Sequence, residues 1–261
     1  MDDAGAIGWG GLALSLILVG VAVGLSLWQG LRLEREMVWA TVRAFVQLLA
    51  VGYLLVFIID DDTPVAWAWA WVVVMLGVAA LTVRRRAPEV PGITKLTLVA
   101  TSGSALLSLF VVFGLGIYPV IGRAVVPIAG MMIGNSIGSI VVASQRILAE
   151  LAERRDEVEA RLALGQPWQQ ASKPFVRSAL RTALTSQIES TKAVGLVFLP
   201  GAMTGLILAG ADPADAVLVQ AAIMYLILGC VATNAVVIGL GLTRKLFTAD
   251  HRLVRLVRTD D

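Results

Sequence analysis

An all-helical protein that crosses a lipid bilayer seven times is the fold this sequence predicts, and three observations predict it. Hydrophobic residues make up 57% of the chain and the mean hydropathy is +0.82, above the range of soluble domains. Apolar runs of the roughly 20 residues needed to cross a hydrocarbon core of about 30 Å recur along the chain. They fall at about 7–28, 39–59, 65–83, 96–117, 124–144, 190–209 and 216–241. With the N-terminus outside and the C-terminus cytosolic, 19 of the 21 Lys and Arg residues lie in cytosolic segments, as the positive-inside rule requires. The net charge of +2 carries no such information; its distribution does.

The first run is expected to remain as a span. Its leading Met1-Asp2-Asp3 is acidic where a signal peptide is basic, and no small-residue cleavage site follows. The outer loops are short and acidic, with Asp60, Asp61 and Asp62 before the third span and Asp212 and Asp215 before the last. Six tryptophans, Trp9, Trp28, Trp39, Trp67, Trp69 and Trp71, fall near span ends, where an amphipathic ring anchors a helix to the interface.

The second span carries Arg43 and Gln47 one turn apart, and a charge at membrane depth faces protein or water or else snorkels to the interface. In the fifth span Gly130, Gly134 and Gly138 form a stripe on which another helix can pack closely. Beside them Met131, Asn135 and Ser139 offer a thioether, an amide and a hydroxyl along one face, a candidate lining for a transport path. The sixth span opens with Glu189 and Lys192, three apart and able to pair, and is interrupted by Pro200-Gly201, where a kink is expected, with Met203 just beyond. Cys230 in the last span is the sole cysteine, which excludes an intrachain disulfide and a thiolate metal cluster.

A polar arm from about Ala149 to Arg181 separates the fifth and sixth spans. Residues 146–164 favour helix, Gly165 suits the left-handed closure of a helix C-terminus, and Pro167 suits the first turn of a new helix. That second helix is expected to be short, Pro167 to Lys173, because Pro174 breaks or re-initiates the chain. The whole chain, 1–261, therefore reads as one membrane domain, with a cytosolic coupling region at 146–189 and a cytosolic tail at 242–261.

Glu159-Ala160, followed after four residues by Gly165, resembles the EAA loop of ABC transporter permeases, whose short helix fits a groove on a nucleotide-binding subunit. Arg161 stands where that motif often has alanine. Longer segments resemble the FetB-type ABC permeases, which include bacterial iron-export permeases and plant proteins of aluminium tolerance. These are 39–53, 126–135, 161–165 and 192–207, with Trp39, Arg43 and Gln47 in the first, Pro127, Gly130 and Asn135 in the second, and Lys192, Pro200, Gly201, Met203 and Gly205 in the last.

The resemblance implies a permease subunit that exports iron or another metal ion or complex and is driven by a separate cytosolic ATPase. Glu159, Ala160, Gly165, Pro167 and Trp168 would then couple to that ATPase, and Arg43, Gln47, Met131, Asn135, Ser139, Glu189, Lys192, Pro200 and Met203 are the candidates for the path. The chain has no G-x-x-x-x-G-K-[ST] loop and no Gly-Lys dipeptide, so no cofactor is expected on it and ATP with Mg belongs to the partner. Seven spans are few for a complete pathway, which implies two copies of the chain in the bilayer; no nucleic-acid partner is expected.

The alternatives are an ATP-independent channel or secondary transporter and, more distantly, an intramembrane hydrolase built on Ser136 and Lys192. Gly134-Asn135-Ser136-Ile137-Gly138 matches the nucleophile-elbow pattern, but within an apolar helix rather than a strand-to-helix turn. The only histidine, His251, lies in the tail.

Overall fold

The computed structural model describes residues 8–60, 63–248, 250 and 252–254, and these divide into two compact units that meet in sequence at Thr63 and Pro64. Asp2, Asp3, Asp61, Asp62 and His251 lie outside the described residues. Every described element is helical, and six helices are long and apolar enough to cross a membrane.

The first unit is a hairpin of α1 (Trp9–Gln29) and α2 (Glu34–Ile59). Gly30, at φ 65°, closes α1: its N–H donates to the Leu27 carbonyl and the Leu31 N–H to that of Ser26. The Ser26 hydroxyl donates to Glu34 Oε1 at 2.8 Å and accepts from the Leu33 N–H, so one serine fastens the corner. Most side chains of both helices are exposed and apolar, a surface suited to lipid.

The second unit contains α3 (Ala66–Arg86), α4 (Ile93–Leu109, continued by a π-helical turn Phe110–Gly114), α5 (Gly122–Glu153), α6 (Arg155–Ala163), α7 (Trp168–Ala193), α8 (Gly201–Leu208) and α9 (Pro213–Leu246). At 32 and 34 residues, α5 and α9 are each roughly 50 Å long at 1.5 Å per residue, longer than a bilayer core. α5 is central, packed on α3, α7 and α9. The C-terminal ends of α3, α5 and α9 meet at one end of the unit. There Gln145 Nε2 donates to the Arg86 carbonyl at 3.1 Å and Lys245 Nζ to that of Gly92 at 3.3 Å. Arg84, Arg85, Arg86, Arg146, Arg244 and Lys245 thus share a basic end, the clustering that positive-inside counting requires of cytosolic segments.

Three expectations from the sequence are corrected. The sixth span, 190–209, is not one helix: α7 stops at Ala193 and α8 starts at Gly201. The Pro200-Gly201 kink is the far edge of a complete break that begins at Val194, because Gly195 takes a left-handed φ of 85° and Pro200 lacks an N–H, two breakers within six residues. Second, Pro174 does not end a short helix; α7 runs through it for 26 residues. The carbonyl its missing N–H would have bonded belongs to Gln170, which is exposed, so water can satisfy it. Third, 146–164 is not one helix, for α5 continues to Glu153 and Arg154 forms a corner at φ −108°, ψ 31° before α6.

The glycine stripe of α5 is used at one position. A methyl group at Gly130 would touch Met75 at 3.6 Å, whereas Gly134 and Gly138 have nothing within 4 Å.

Candidate coupling arm and transport path

The arm is docked, not loose. Val158 and Leu151 are fully buried beside Phe175 and Phe247, and Leu162 packs against the same cluster. Trp168 stacks on Phe247 with ring centroids 5.7 Å apart and planes 20° from parallel, and Arg161 sits 5.8 Å above the Phe175 ring. The ring of Trp168, expected to meet the ATPase, thus has a partner inside the chain.

Between α6 and α7 the turn closes as the sequence predicts. Gly165 has φ 85°, its N–H donates to the Leu162 carbonyl at 2.9 Å and the Gln166 N–H donates to that of Arg161 at 3.1 Å, a Schellman closure. Pro167 sits just before the first turn of α7 as its N-cap. Held up by this closure, Leu164 is 82% exposed beside exposed Ala160, an apolar tip that sequence reading passed over as ordinary helix. Glu159 is exposed as well and pairs with Arg155 at 2.6 Å, while Arg155 Nη2 donates to the Leu253 carbonyl, which fixes α6 against the tail.

The interrupted span makes the second feature. α7 starts at the basic end, where Trp168 meets Phe247, and α8 finishes beside the beginning of α9. Together they run along the unit, with the gap inside it and nearer the end where α9 begins. Backbone groups released at such depth need partners, and the gap supplies them: the Gly195 N–H donates to the Phe198 carbonyl at 3.0 Å, and the Met203 N–H in the first turn of α8 donates to Gln220 Oε1 at 3.2 Å. Gln220, reaching across from α9 and 4% exposed, caps a helix whose own N-cap residue, Pro200, has no side-chain acceptor.

A cavity of about 340 Å³ opens at the gap, lined by Met131 and Asn135 of α5, Gln187 and Ser190 of α7, Phe198 to Ala202, and Gln220 and Met224 of α9 among others. Of the residues singled out from sequence, Met131, Asn135 and Pro200 meet here, and Met203 is tied to the lining through Gln220. Asn135 Nδ2 donates to the Met131 carbonyl at 2.7 Å, which sets the orientation of the amide. Ser139 is not in the lining; it is buried, and its hydroxyl donates to the Ser136 carbonyl. Glu189 and Lys192 pair as expected, at 2.9 Å and both exposed. Arg43 and Gln47 lie one turn apart on an exposed face of α2, in the other unit. Gln187, Ser190 and Gln220 were missed, although each is a polar residue within or bordering an apolar span, the signal that should have raised them.

Behind the cavity sits a buried polar hub. Asn234 Nδ2 donates to Ser136 Oγ at 3.0 Å and to Cys230 Sγ at 3.6 Å, and Cys230 donates to Ser104 Oγ at 3.5 Å, which ties α9 to α5 and α4. Ser136 is fully buried and its hydroxyl donates to the Met132 carbonyl, while Lys192 is engaged by Glu189, so the arrangement is not that of a Ser/Lys hydrolase. Among the described residues no group of three His, Cys, Asp or Glu side chains is placed to hold a metal ion.

Replacing Gln220 by leucine leaves the Met203 N–H without a partner at membrane depth, at a cost of about 1–3 kcal/mol. The first turn of α8 is then expected to fray. Maleimide labelling of a cysteine placed at Ala202 should accelerate in Gln220→Leu, and an unchanged rate would show that the cap is dispensable.

Six apolar helices of spanning length, with α7 and α8 separated by a gap beside a cavity, define a multi-pass membrane protein. The chain belongs to the family described as uncharacterised protein family UPF0014, which it matches over residues 9–247. Its relatives include the UPF0014 membrane protein STAR2 of rice, 36% identical over 84% of this chain and 76% of the relative, and the Arabidopsis protein ALUMINUM SENSITIVE 3, 33% identical over 86% and 82%. The probable iron export permease protein FetB of Escherichia coli is 31% identical over 93% of each chain. No solved structure matches the chain.

Proposed function

We propose that this chain is the membrane permease subunit of an ATP-driven exporter that moves iron, or another metal ion or complex, outward. A separate cytosolic ATPase powers it, carrying the ATP and Mg. The observation that carries this reading is the shape of the arm: a rigidly docked helix, turn and helix that offers an exposed apolar tip, Leu164, at the basic end of the bundle. The kinship with a probable iron export permease over nearly the full length supports the direction and cargo.

In this reading the basic end is cytosolic and the N-terminus is outside. The chain makes seven passes, six by continuous helices and one by α7 and α8 with the gap between them. Two copies assemble with two ATPase subunits. ATP-driven closure of the ATPases pulls on the turn at Gly165, and α7 carries the pull to the gap, where Pro200 and Gly195 let α8 move separately. The cavity alternately faces either side. Its amides, hydroxyl and thioethers are weak ligands for a hard cation, so a metal would pass loosely held or inside a complex.

The test is ATP hydrolysis by the reconstituted permease and ATPase pair, challenged with iron, manganese, zinc and aluminium. Stimulation by at least one is expected, and its loss in Asn135→Leu with ATPase binding intact. No stimulation by any of them would remove metal as the cargo.

A further inference from the structure

We propose that α7 carries a binding site for an anionic phospholipid of the surrounding leaflet. Lys173, Arg177 and Arg181 recur every four residues and so share one face of α7. Among the described residues none of the three side chains makes a hydrogen bond or ion pair. They border a groove of about 650 Å³ between α7 and α9, and no Asp or Glu lines it. Its wall turns apolar with depth: Val176, Leu180, Leu184 and Ile188 from α7 and Leu240 from α9.

The order of these residues along the helix matches a lipid. Trp168 meets Phe247 and Leu180 lies against Gly239, so Lys173 and Arg177 fall between these levels, at the basic end of α9, and Arg181 stands one residue past Leu180. Leu184 and Ile188 lie roughly 5 and 10 Å further in, at 1.5 Å per residue. A headgroup phosphate at the cations would therefore place its acyl chains on the apolar wall. Basic pockets at the cytosolic ends of membrane helices hold anionic headgroups for this reason.

Other occupants fit less well. A second copy bound through the same face by a two-fold axis would set three unpaired cations against three more. Free phosphate would satisfy the charge but leave the leucine wall uncovered. The site rests on the exporter reading in placing this end at the cytosolic leaflet and in taking α7 with α8 as a pass through the bilayer. Its test contains neither ATPase nor cargo, so the two can fail separately.

The full chain, purified in detergent, is titrated with phosphatidylglycerol and with phosphatidylcholine and followed by native mass spectrometry. Phosphatidylglycerol is expected to bind in preference. K173Q/R177Q/R181Q should lose roughly 100-fold in its affinity, R181Q alone several-fold, and Leu184→Gln/Ile188→Gln should weaken the lipid while leaving the cations in place. Equal binding of both lipids, or unchanged binding in the triple variant, overturns the proposal. So does displacement of the lipid by millimolar inorganic phosphate, which would mark a simple anion site. A triple variant that changes oligomeric state instead of lipid binding would assign the face to a second copy and overturn it as well.

Discussion

If the arm docks an ATPase as proposed, membranes carrying Gly165→Pro are expected to contain normal amounts of the inserted protein, which no longer captures that partner. At φ 85° Gly165 occupies a conformation that a proline ring, fixed near −65°, is unable to adopt, and the substitution also deletes the bond from its N–H to the Leu162 carbonyl. The turn that raises Leu164 would be lost, and with it the docking surface. Gly165→Ala sharpens the experiment. A methyl group there meets nothing within 4 Å, so its whole cost is the left-handed conformation, about 1–2 kcal/mol, or roughly tenfold in a coupled equilibrium. Pull-down of the partner ATPase should accordingly fall most for proline, partly for alanine, and also for Leu164→Asp and Glu159→Lys. Full capture by all four variants would show that the ATPase grips the permease elsewhere.

The second large effect is expected at Asn234. This side chain is fully buried, donates to Ser136 and Cys230, and leaves its Oδ1 without a partner. Asn234→Asp would bury a carboxyl group among hydroxyls and a thiol with no cation near it, and should cost at least about 3 kcal/mol. Asn234→Leu, nearly the same size, removes the orphaned acceptor together with two bonds whose loss leaves the Ser136 proton still paired to Met132. Its stability should therefore stay within about 1 kcal/mol of the parent. Melting of the purified protein in detergent distinguishes them: a large drop for aspartate and little change for leucine. If leucine proved as damaging as aspartate, the hub would be held together by more than the contacts seen.

The turn at Gly165 was legible because its cause is local. A residue that must adopt positive φ is glycine wherever possible, and the Gly165–Pro167 spacing marks an exit and an entry within three residues. The long apolar helices were legible for a similar reason, since a bilayer demands length and hydropathy from each segment by itself; α1, α2, α3, α4 and α9 fall within a few residues of the runs. The interrupted span was not. Averaged hydropathy over 190–209 scores the gap residues Val194, Leu196, Val197 and Leu199 like any helix, although Leu196 stands 92% exposed in a loop.

The sequence by itself determined that this is a helical, multi-pass membrane chain with a basic side, a glycine-closed arm and a resemblance to the FetB-type permeases. Composition, charge order and φ preference are properties a residue carries wherever it lies. The tertiary structure alone decided that Asn135, Gln187, Ser190 and Gln220 share one cavity, that Gln220 caps α8, and that Ser104, Ser136, Cys230 and Asn234 form one hub. Those contacts join residues up to 126 positions apart, and they exist only because α4, α5 and α9 pack side by side. Spacing along a helix can say which side chains share a face. What that face meets is settled by packing.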